Sequence, residues 1–390
     1  MSSLPSGPDD PVGRLYADGY DLVLQHGHLV ARRIPYLSPG GVRTDGILAL
    51  PVSDNGGVIA DAIGNHTIWF AGEEPRDERG TALGGVMNPA RDIGNGLTAA
   101  YQLSFKPPGT GVYASVYEKV RSYARILANP AQGMSPEVTA TPGAAFQVVE
   151  DGLPFIYRDT NATRAGLTAL NTVFRGHTVA IVGLGGTGSY ILDQVAKTWV
   201  DRVIVIDGDI LENHNAFRAP GAASLASLQA RQNKAEYFAG EYSRMHTGIT
   251  AYAEYLTAEN LHLLEGATFV FLAAADAAER PAIMAWLGDR QVPFIDAGMG
   301  VSRTDTGLTG LVKVTAYLPG RDFAVPAAPP TQPGDDDYGT NIQVADLNAL
   351  NALLAVIRWK RHLGYYATES VSDETVFKLY CNEIRNGDAW

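Results

Sequence analysis

A glycine-rich turn in the middle of the chain, between a short apolar run and a helical pattern, most constrains the fold. The apolar run at 178–183 is typical of a strand buried in a parallel sheet. Glycines that follow such a strand and open a helix let phosphate oxygens approach backbone N–H groups, and the helix N-terminus favours their charge. We therefore predict that this turn binds a nucleotide; a turn needed only for tight strand–helix packing is the alternative. The turn reads Gly183-Leu-Gly185-Gly186-Thr-Gly188-Ser189.

The residues on both sides of this turn continue a pattern of strands and helices. Apolar runs at 202–207, 267–273 and 292–296 are separated by amphipathic stretches. Alternation of this kind indicates an α/β fold with a doubly wound, mostly parallel, Rossmann-like sheet. The sequence therefore predicts that the nucleotide lies at the carboxyl ends of parallel strands.

Charged residues at the end of the second apolar run and beyond it limit the kinds of nucleotide-binding enzyme that the sequence fits. That run ends in Asp207, where an acidic residue reaches a ribose hydroxyl in nucleotide-binding folds of this kind. A dehydrogenase shares this feature, but Arg218, one loop further on, has no task in such an enzyme. An enzyme that cleaves ATP between its α- and β-phosphates needs fixed cations, because negative charge develops on both products. Arg218 therefore favours an ATP-cleaving enzyme; a surface ion pair is the alternative.

The chain divides into three zones. Residues 14–127 contain short strand patterns and turns closed by a helical pattern, which indicates a smaller α+β domain. Residues 128–149 hold three prolines among small polar residues and predict a linker. Residues 150–390 are predicted to form one α/β domain, in which 320–341 is a crossover loop rich in proline, glycine and aspartate. An amphipathic helix is expected after that loop.

Charge and cysteine content exclude several functional classes. The chain has 30 basic and 42 acidic residues, a net charge of −12 and no long basic run, so we expect no binding to nucleic acid. Its one cysteine, Cys381, excludes a disulfide framework and a CxxC zinc or redox site. The chain has no run of about 18 apolar residues, and its first residues lack the pattern of a signal peptide. We therefore expect no membrane span and a cytoplasmic location.

Taken in order, these motifs resemble the ThiF/MoeB/HesA adenylating superfamily, which includes the ubiquitin-activating enzymes. The resemblance covers about residues 155–320 and consists of the pattern GxGGxGS, then D-x-D-x-x-x-x-x-N-x-x-R, a later lysine and a later strand-end aspartate. It implies ATP and Mg²⁺ as cofactors and a homodimer of two adenylation modules. It also implies that an arginine before the first strand can reach the nucleotide of the partner subunit, and either Arg158 or Arg164 fits that place.

The resemblance assigns roles residue by residue. Gly185 and Gly186 correspond to the glycines that face the phosphates, and Asp207 to the ribose ligand. Asn215 and Arg218 correspond to the pair around the triphosphate. The remaining assignments are Lys234 as the family lysine, Asp276 as the aspartate that serves Mg²⁺ and the acyl-adenylate, and Asp209 as the second acidic residue of its motif. Ordinary explanations exist for each: Asp209 could cap a loop, Lys234 could lie on a solvated face and Asp276 could cap a helix.

The chain departs from its relatives in the crossover loop, which contains no cysteine. A thioester at the usual position is therefore excluded, and we expect Cys381 to be a small packed side chain. Two routes remain: direct transfer of the acyl-adenylate to another nucleophile, or an oxyester on Thr331 or Thr340. A hydroxyl needs an activating base, and no base is evident from the sequence.

The first domain also resembles a known type, a domain fused ahead of ThiF-like modules in bacterial operons for ubiquitin-like conjugation. The resemblance depends on Ile34-Pro-Tyr36, the segment 66–75 and Gly80. It implies either recruitment of the ubiquitin-like protein or of a conjugating enzyme, or a degenerate conjugating-enzyme fold. Since this domain has no cysteine, it cannot itself form a thioester, and His66 is expected to be a structural residue.

The sequence thus predicts an enzyme that uses ATP to adenylate the C-terminal carboxylate of a ubiquitin-like protein. Three alternatives remain open. A sulfur-carrier-protein adenylyltransferase would be expected to have the cysteines that this chain lacks. An NAD-dependent oxidoreductase would leave Arg218, Lys234 and Asp276 without a shared task. An inactive scaffold that binds a ubiquitin-like partner would not need the nucleotide-binding residues.

Overall fold

The structure, a computed structural model, describes residues 10–54, 58–149, 152–273, 279–319, 342–368 and 372–387. It contains two compact units, residues 1–171 and 172–390. Within the described residues, no helix is long and apolar enough to cross a lipid bilayer.

The first unit is built on a mixed β-sheet with strand order β10-β1-β2-β3-β5-β9-β6, and β4 pairs with the end of β3. A separate two-stranded sheet is formed by β7 and β8. The elements are α1 Pro11–Ala17, β1 Asp21–Gln25, β2 His28–Ser38, β3 Gly41–Asp54, β4 Ile59–Asp61, β5 Thr67–Ala71, β6 Val86–Met87, β7 Arg91–Gly94, β8 Leu97–Ala99, β9 Tyr101–Ser104, α2 Val116–Met134, β10 Ala145–Val148, α3 Thr160–Ala165 and α4 Thr168–Asn171.

Both faces of this sheet are covered. Helix α2 begins after Ser115, whose hydroxyl accepts a hydrogen bond from the Glu118 N–H at 3.2 Å. Its apolar face buries Tyr123 and Leu127 in the larger core cluster. On the opposite face, Trp69 belongs to a smaller cluster that includes residues of β7 and β8. The first unit is therefore an α+β fold with its own core.

The stretch interpreted as a linker, 128–149, differs from that expectation. Helix α2 continues to Met134 through Pro130, because Ala128 and Ala131 extend its buried face and packing outweighs the break that proline favours. After a loop, β10 pairs in parallel with β1. The prolines and small residues of this stretch are typical of a linker, but the stretch contains the end of a helix and a strand at the edge of the sheet.

His66, expected to be structural, makes hydrogen bonds inside the first unit. Its Nε2 lies 2.9 Å from the Ser104 hydroxyl oxygen, and its carbonyl oxygen accepts a hydrogen bond from the Tyr123 hydroxyl. These bonds connect the residue directly before β5 with β9 and α2.

The second unit contains an eight-stranded sheet with the order β13-β12-β11-β14-β15-β16-β17-β18. The first five strands are parallel, and the last three continue the sheet in antiparallel fashion. The elements are β11 Thr178–Val182, α5 Gly186–Val195, β12 Arg202–Ile206, α6 Asn213–Ala216, α7 Leu225–Gln229, α8 Lys234–Tyr242, β13 Ile249–Tyr252, β14 Phe269–Leu272, α9 Arg280–Asp289, β15 Phe294–Thr304, β16 Gly307–Tyr317, α10 Ala345–His362, β17 Glu374–Lys378 and β18 Glu383–Gly387.

Helices cover both faces of this sheet. Alternate residues of β14 point in opposite directions, as the pleat requires. Phe269 and Phe271 lie within 6.2 Å of Trp359 on α10, measured between ring centroids. Val270 and Leu272 belong to a core cluster with Ile283 and other residues of α9. The α/β class predicted from the sequence is confirmed, with a parallel half that is doubly wound.

Candidate nucleotide site

The glycine-rich turn lies at the carboxyl end of β11, between the ends of β12 and β14. Gly183 has φ +85°, a backbone conformation that glycine adopts without strain. Gly185 is the N-cap of α5, and no side chain caps this helix. Since the first N–H groups of an α-helix have no partners within it, this helix start is suited to bind an anion. The structure therefore places the turn where the sequence predicted it.

The other glycines of the turn have different surroundings. A Cβ added at Gly186 would lie 2.2 Å from the Asn348 Nδ2, and one at Gly188 would lie 1.8 Å from the Gly183 carbonyl oxygen. At Gly185, no described atom lies within 4 Å of such a Cβ. Packing inside the protein thus requires glycine at 186 and 188. Among the described atoms, space in which a phosphate could lie is left only at Gly185 of these three glycines.

Asp207 lies directly after β12 and is buried, with 6% of its surface exposed. One carboxylate oxygen accepts the Leu184 N–H at 2.5 Å, and the other accepts the Asp209 N–H at 2.8 Å. Burial raises the pKa of Asp207, although Lys234 and these hydrogen bonds oppose the effect. The carboxylate fixes the glycine-rich turn to the end of β12, and its remaining lone pairs are available to a ribose hydroxyl.

Asp209 joins the segments around this strand end. One of its carboxylate oxygens lies 2.7 Å from the Lys234 Nζ, and the other accepts a hydrogen bond from the Tyr255 hydroxyl. Its carbonyl oxygen accepts the Lys234 N–H at 2.8 Å and the Asn233 side-chain amide at 3.1 Å. Asn233 also caps α8, so the start of that helix is attached to the Asp207–Asp209 segment.

Burial raises the pKa of Asp209, but hydrogen bonds from Lys234 and Tyr255 outweigh it, and the pKa lies below its usual value. The nearby positive charge of Arg218 acts in the same direction. The Lys234 side chain is 7% exposed, so its ammonium group is almost fully removed from water. A buried ammonium requires a paired charge, and Asp209 supplies it here.

Arg218 and Asn215 belong to the short helix α6 and the turn that follows it. The buried Asn215 accepts the Glu212 N–H through its side-chain oxygen at 2.8 Å, which fixes the start of α6. Among the described residues, the buried Arg218 Nε has no hydrogen-bond partner. Burial lowers the pKa of Arg218, while the Asp209 charge opposes this shift. A guanidinium with a buried unpaired N–H fits a site that receives an anionic ligand.

Sequence reasoning missed a buried polar cluster between the turn and α10. The Thr187 hydroxyl donates to the Asn348 side-chain oxygen at 3.0 Å, and the Asn351 amide donates to the Gly298 carbonyl oxygen at 3.1 Å. Asn348 and Asn351 both have 0% exposure. They are three residues apart in α10, so they share a helix face that the sequence presents among leucines and alanines. That spacing was the available signal.

Asp296 and Arg280 form an ion pair beside the same edge of the sheet. Asp296 lies in β15 opposite Leu272, and Arg280 begins α9. The pair neutralises two charges that the sequence left without a role.

Several predicted residues cannot be placed. Asp276 lies in 274–278, and Thr331 and Thr340 lie in 320–341; both segments are outside the described residues. Within the described ranges, no group of three or more His, Cys, Asp or Glu residues could hold a metal ion. Arg158 and Arg164 belong to the first unit, with Arg164 in α3.

Cys381 does not have the packed environment expected for it. The residue is exposed in the turn between β17 and β18, with its sulfur 3.7 Å from a Glu383 carboxylate oxygen. The strand-like sequence before it ends at Lys378, so the cysteine falls in a turn instead of the sheet.

Two family descriptions match the chain. The first, a domain of unknown function (DUF6791), matches residues 10–160. The second, the ThiF family, matches residues 158–327 and so includes the turn, Asp207, Arg218 and Lys234. No curated protein sequence matches the chain.

Solved structures are similar to a little over half of the chain. The crystal structure of PaaA has 19% identity and a TM-score of 0.46, covering 59% of this chain and 69% of PaaA. The structure of Escherichia coli MccB with ATP has 18% identity and a TM-score of 0.47, covering 59% of this chain and 70% of MccB. MccB with MccA-N7isoASN has 18% identity and a TM-score of 0.48, covering 58% and 72%.

Proposed function

We propose that the chain uses ATP to adenylate a carboxylate, and that this carboxylate is the C-terminus of a ubiquitin-like protein. The match of residues 158–327 to the ThiF family supports the first part of this proposal. The observation that carries the proposal is the pair of cations beside the ribose position: the buried Lys234, 7% exposed, and the partly buried Arg218, whose buried Nε has no partner among the described residues. Cations that are wholly or partly removed from water at a strand-to-helix anion site suit a triphosphate better than an uncharged ligand.

In the proposed reaction, a carboxylate oxygen of the substrate attacks the α-phosphorus of ATP. The bond from the α-phosphorus to the bridging oxygen breaks, and pyrophosphate leaves with that electron pair. The products are the acyl-adenylate and pyrophosphate. Negative charge increases on the oxygens around the α-phosphorus and on the leaving group as the bond breaks. Fixed cations that meet this charge lower the barrier.

Each residue of the candidate site then has a role in this reaction. The N–H groups at the start of α5, opened by Gly185, bind phosphate oxygens. Arg218 and Lys234 stabilise the charge on the phosphates. Asp207 accepts a hydrogen bond from the ribose, while the bond that its carboxylate accepts from the Leu184 N–H holds the turn. Asn215 fixes the start of α6 and thereby places Arg218.

Mg²⁺ and the fate of the acyl group remain proposals. When bound, Mg²⁺ would neutralise charge on the phosphates, and Asp276 is the ligand that the sequence offers for it. Transfer could proceed directly from the adenylate or through an oxyester on Thr331 or Thr340. A homodimer, with Arg158 or Arg164 reaching the partner's nucleotide, and a cytoplasmic location belong to the same proposal, as does recruitment of a conjugating enzyme by the first unit.

The test is ATP–pyrophosphate exchange with a ubiquitin-like protein whose C-terminal carboxylate is free, compared with the same protein amidated at its C-terminus. We expect exchange only with the free carboxylate. The Lys234→Ala variant should lose about 100-fold in exchange rate, since one charge-stabilising group is typically worth that much. Lys197→Ala is the matched control, because Lys197 is an exposed lysine that pairs with Asp193 on α5.

Calorimetry with nucleotides separates the alternatives without a protein partner. We expect α,β-methylene-ATP to bind and NAD not to bind. Binding of NAD alone would favour the oxidoreductase, and binding of neither would favour the scaffold. Exchange with a sulfur-carrier protein but with no other ubiquitin-like protein would identify the sulfur-carrier enzyme.

A further inference from the structure

Tyr255 is an aromatic residue at the edge of the candidate site to which sequence reasoning gave no role. It follows β13, the neighbour of β12 in the sheet, and the last pair of that ladder joins Ile206 to Tyr252. The residue is 63% exposed. An exposed tyrosine ring ordinarily needs no explanation, but this one has defined contacts at both ends.

The ring lies against the backbone between the two aspartates. A Cβ added at Gly208 would approach three ring atoms of Tyr255 to 2.6–2.7 Å, so the ring occupies the place that a side chain at 208 would take. The Tyr255 carbonyl oxygen accepts a hydrogen bond from the Asn260 side chain at 2.9 Å. The phenol donates to Asp209. The ring is thus fixed at its backbone, its face and its hydroxyl.

Asp209 connects Tyr255 to Lys234. Its two carboxylate oxygens are divided between the Tyr255 hydroxyl and the Lys234 Nζ. The Asp209 side chain is 49% exposed, whereas that of Lys234 is 7% exposed. A half-exposed carboxylate bound on one oxygen only could rotate or take the ammonium with both oxygens. The phenol blocks both movements by occupying one oxygen.

We propose that Tyr255 is a positioning residue for the nucleotide, because it holds Asp209 in the one orientation that presents the Lys234 ammonium to the phosphates. The inference rests on the proposed function, since it gives Lys234 a phosphate to bind. It also explains Gly208, which leaves room for the ring and whose φ lies outside the left-handed region.

The first experiment measures the affinity for α,β-methylene-ATP by calorimetry at several pH values. Tyr255→Phe keeps the ring and removes the hydroxyl, and we expect it to bind the nucleotide roughly tenfold more weakly at pH 7, the loss associated with one hydrogen bond to a charged group. Tyr380→Phe is the control, because Tyr380 is an exposed tyrosine in the turn between β17 and β18.

A second variant tests the same hydrogen bond between Tyr255 and Asp209 by changing the backbone segment against which the ring lies. Gly208→Ala should displace the ring and weaken binding by a similar factor. Combining it with Tyr255→Phe should add little, because both changes break the same hydrogen bond. Independent effects that multiply would contradict the mechanism.

The pH profile distinguishes positioning from general damage. The groups that face Asp209 are Lys234, Tyr255 and Arg218, each of which lowers its pKa, and Asp207 is the neighbouring carboxylate. Removing the phenol raises the pKa of Asp209, so the acid limb of binding should move to higher pH in Tyr255→Phe. In an Asp209→Asn background, the same substitution should move nothing.

The outcomes separate this inference from the proposed function. If the wild-type protein does not bind the nucleotide, the proposed function fails. If it binds, and Tyr255→Phe has wild-type affinity and an unchanged acid limb, the proposed function stands and the positioning role is wrong. A tenfold loss without a shift of the acid limb, or with the same shift in the Asp209→Asn background, also overturns it.

Discussion

Gly185 and Gly186 are neighbours in the chain, and the sequence assigned them one role. The structure surrounds them differently: a Cβ at 186 would meet the buried Asn348, whereas one at 185 would meet no described atom. A motif shows that glycine is present but not which atoms exclude a side chain there. Those atoms belong to α10, more than 150 residues away in the chain, and no local pattern identifies them.

Two alanine substitutions test this difference. Gly186→Ala should lower the free energy of unfolding by about 1–3 kcal/mol, because Asn348 is packed too tightly to move aside. Gly185→Ala should change it by less than about 0.5 kcal/mol and weaken binding of α,β-methylene-ATP instead. Urea unfolding and calorimetry measure the two effects. Equal destabilisation by both substitutions would show that Gly185 is also a packing residue.

His28 gives the first unit a pH-dependent stability. The residue is 1% exposed; burial and then the nearby Arg91 charge lower its pKa from 6.5 to about 4. Because the unfolded chain binds the proton more readily, His28 contributes stability above pH 6.5 that is lost as the pH falls towards 4. The loss amounts to about 3 kcal/mol for this one group.

Urea unfolding of the wild type and of His28→Gln at pH 7 and pH 4.5 checks this. We expect the variant to lose less stability between the two pH values than the wild type does. His214→Gln, at an exposed histidine of the second unit, should behave as the wild type. A parallel loss in His28→Gln would mean that other groups cause the acid sensitivity.

At the level of elements, the periodicity of apolar residues predicted the strands and helices that bury an apolar face. The alternation of apolar runs and helices located the parallel strands of the second unit, and the leucine spacing located α10. It did not locate β10, because four residues among prolines and glycines have no period to detect. Pairing with β1 determines that strand, and pairing partners are far apart in the chain.

Trp359 is the largest of the buried side chains through which helix α10 packs on the sheet. Trp359 has 0% exposure and contacts the rings of Phe174, Phe269 and Phe271. Trp359→Ala should lower the free energy of unfolding of the second unit by about 3–5 kcal/mol, since the cavity cannot close. Leu353→Ala, at a position of the same helix that is 41% exposed, should cost less than about 1 kcal/mol. Similar urea midpoints for the two variants would contradict this account.

At the level of the whole molecule, the chain consists of two units with separate cores, and only the second contains the candidate nucleotide site. The length of the chain, 390 residues, favours more than one domain, because it exceeds what a single ordinary core supports. The position of the boundary depends on which strands pair, and that information is not local in the sequence.

A ligand of one unit should therefore affect one unfolding transition. At 100 times its dissociation constant, α,β-methylene-ATP should stabilise the second unit by about 2.7 kcal/mol and leave the first unchanged. Differential scanning calorimetry, with His28→Gln marking the first transition and Trp359→Ala the second, checks the assignment. Movement of both transitions by the same amount would show that the units unfold together.

The pairing of β10 with β1 also has a consequence for synthesis on the ribosome. The two strands are separated by roughly 120 residues, so at ordinary elongation rates β1 leaves the exit tunnel roughly 6 to 25 s before its parallel neighbour. During that interval the nascent sheet has an uncovered edge made of Asp21–Gln25, a row of free backbone groups open to another chain. Nascent chains on the same messenger RNA are the nearest source of such a strand. Slower translation would prolong this exposure, although the finished protein would be the same.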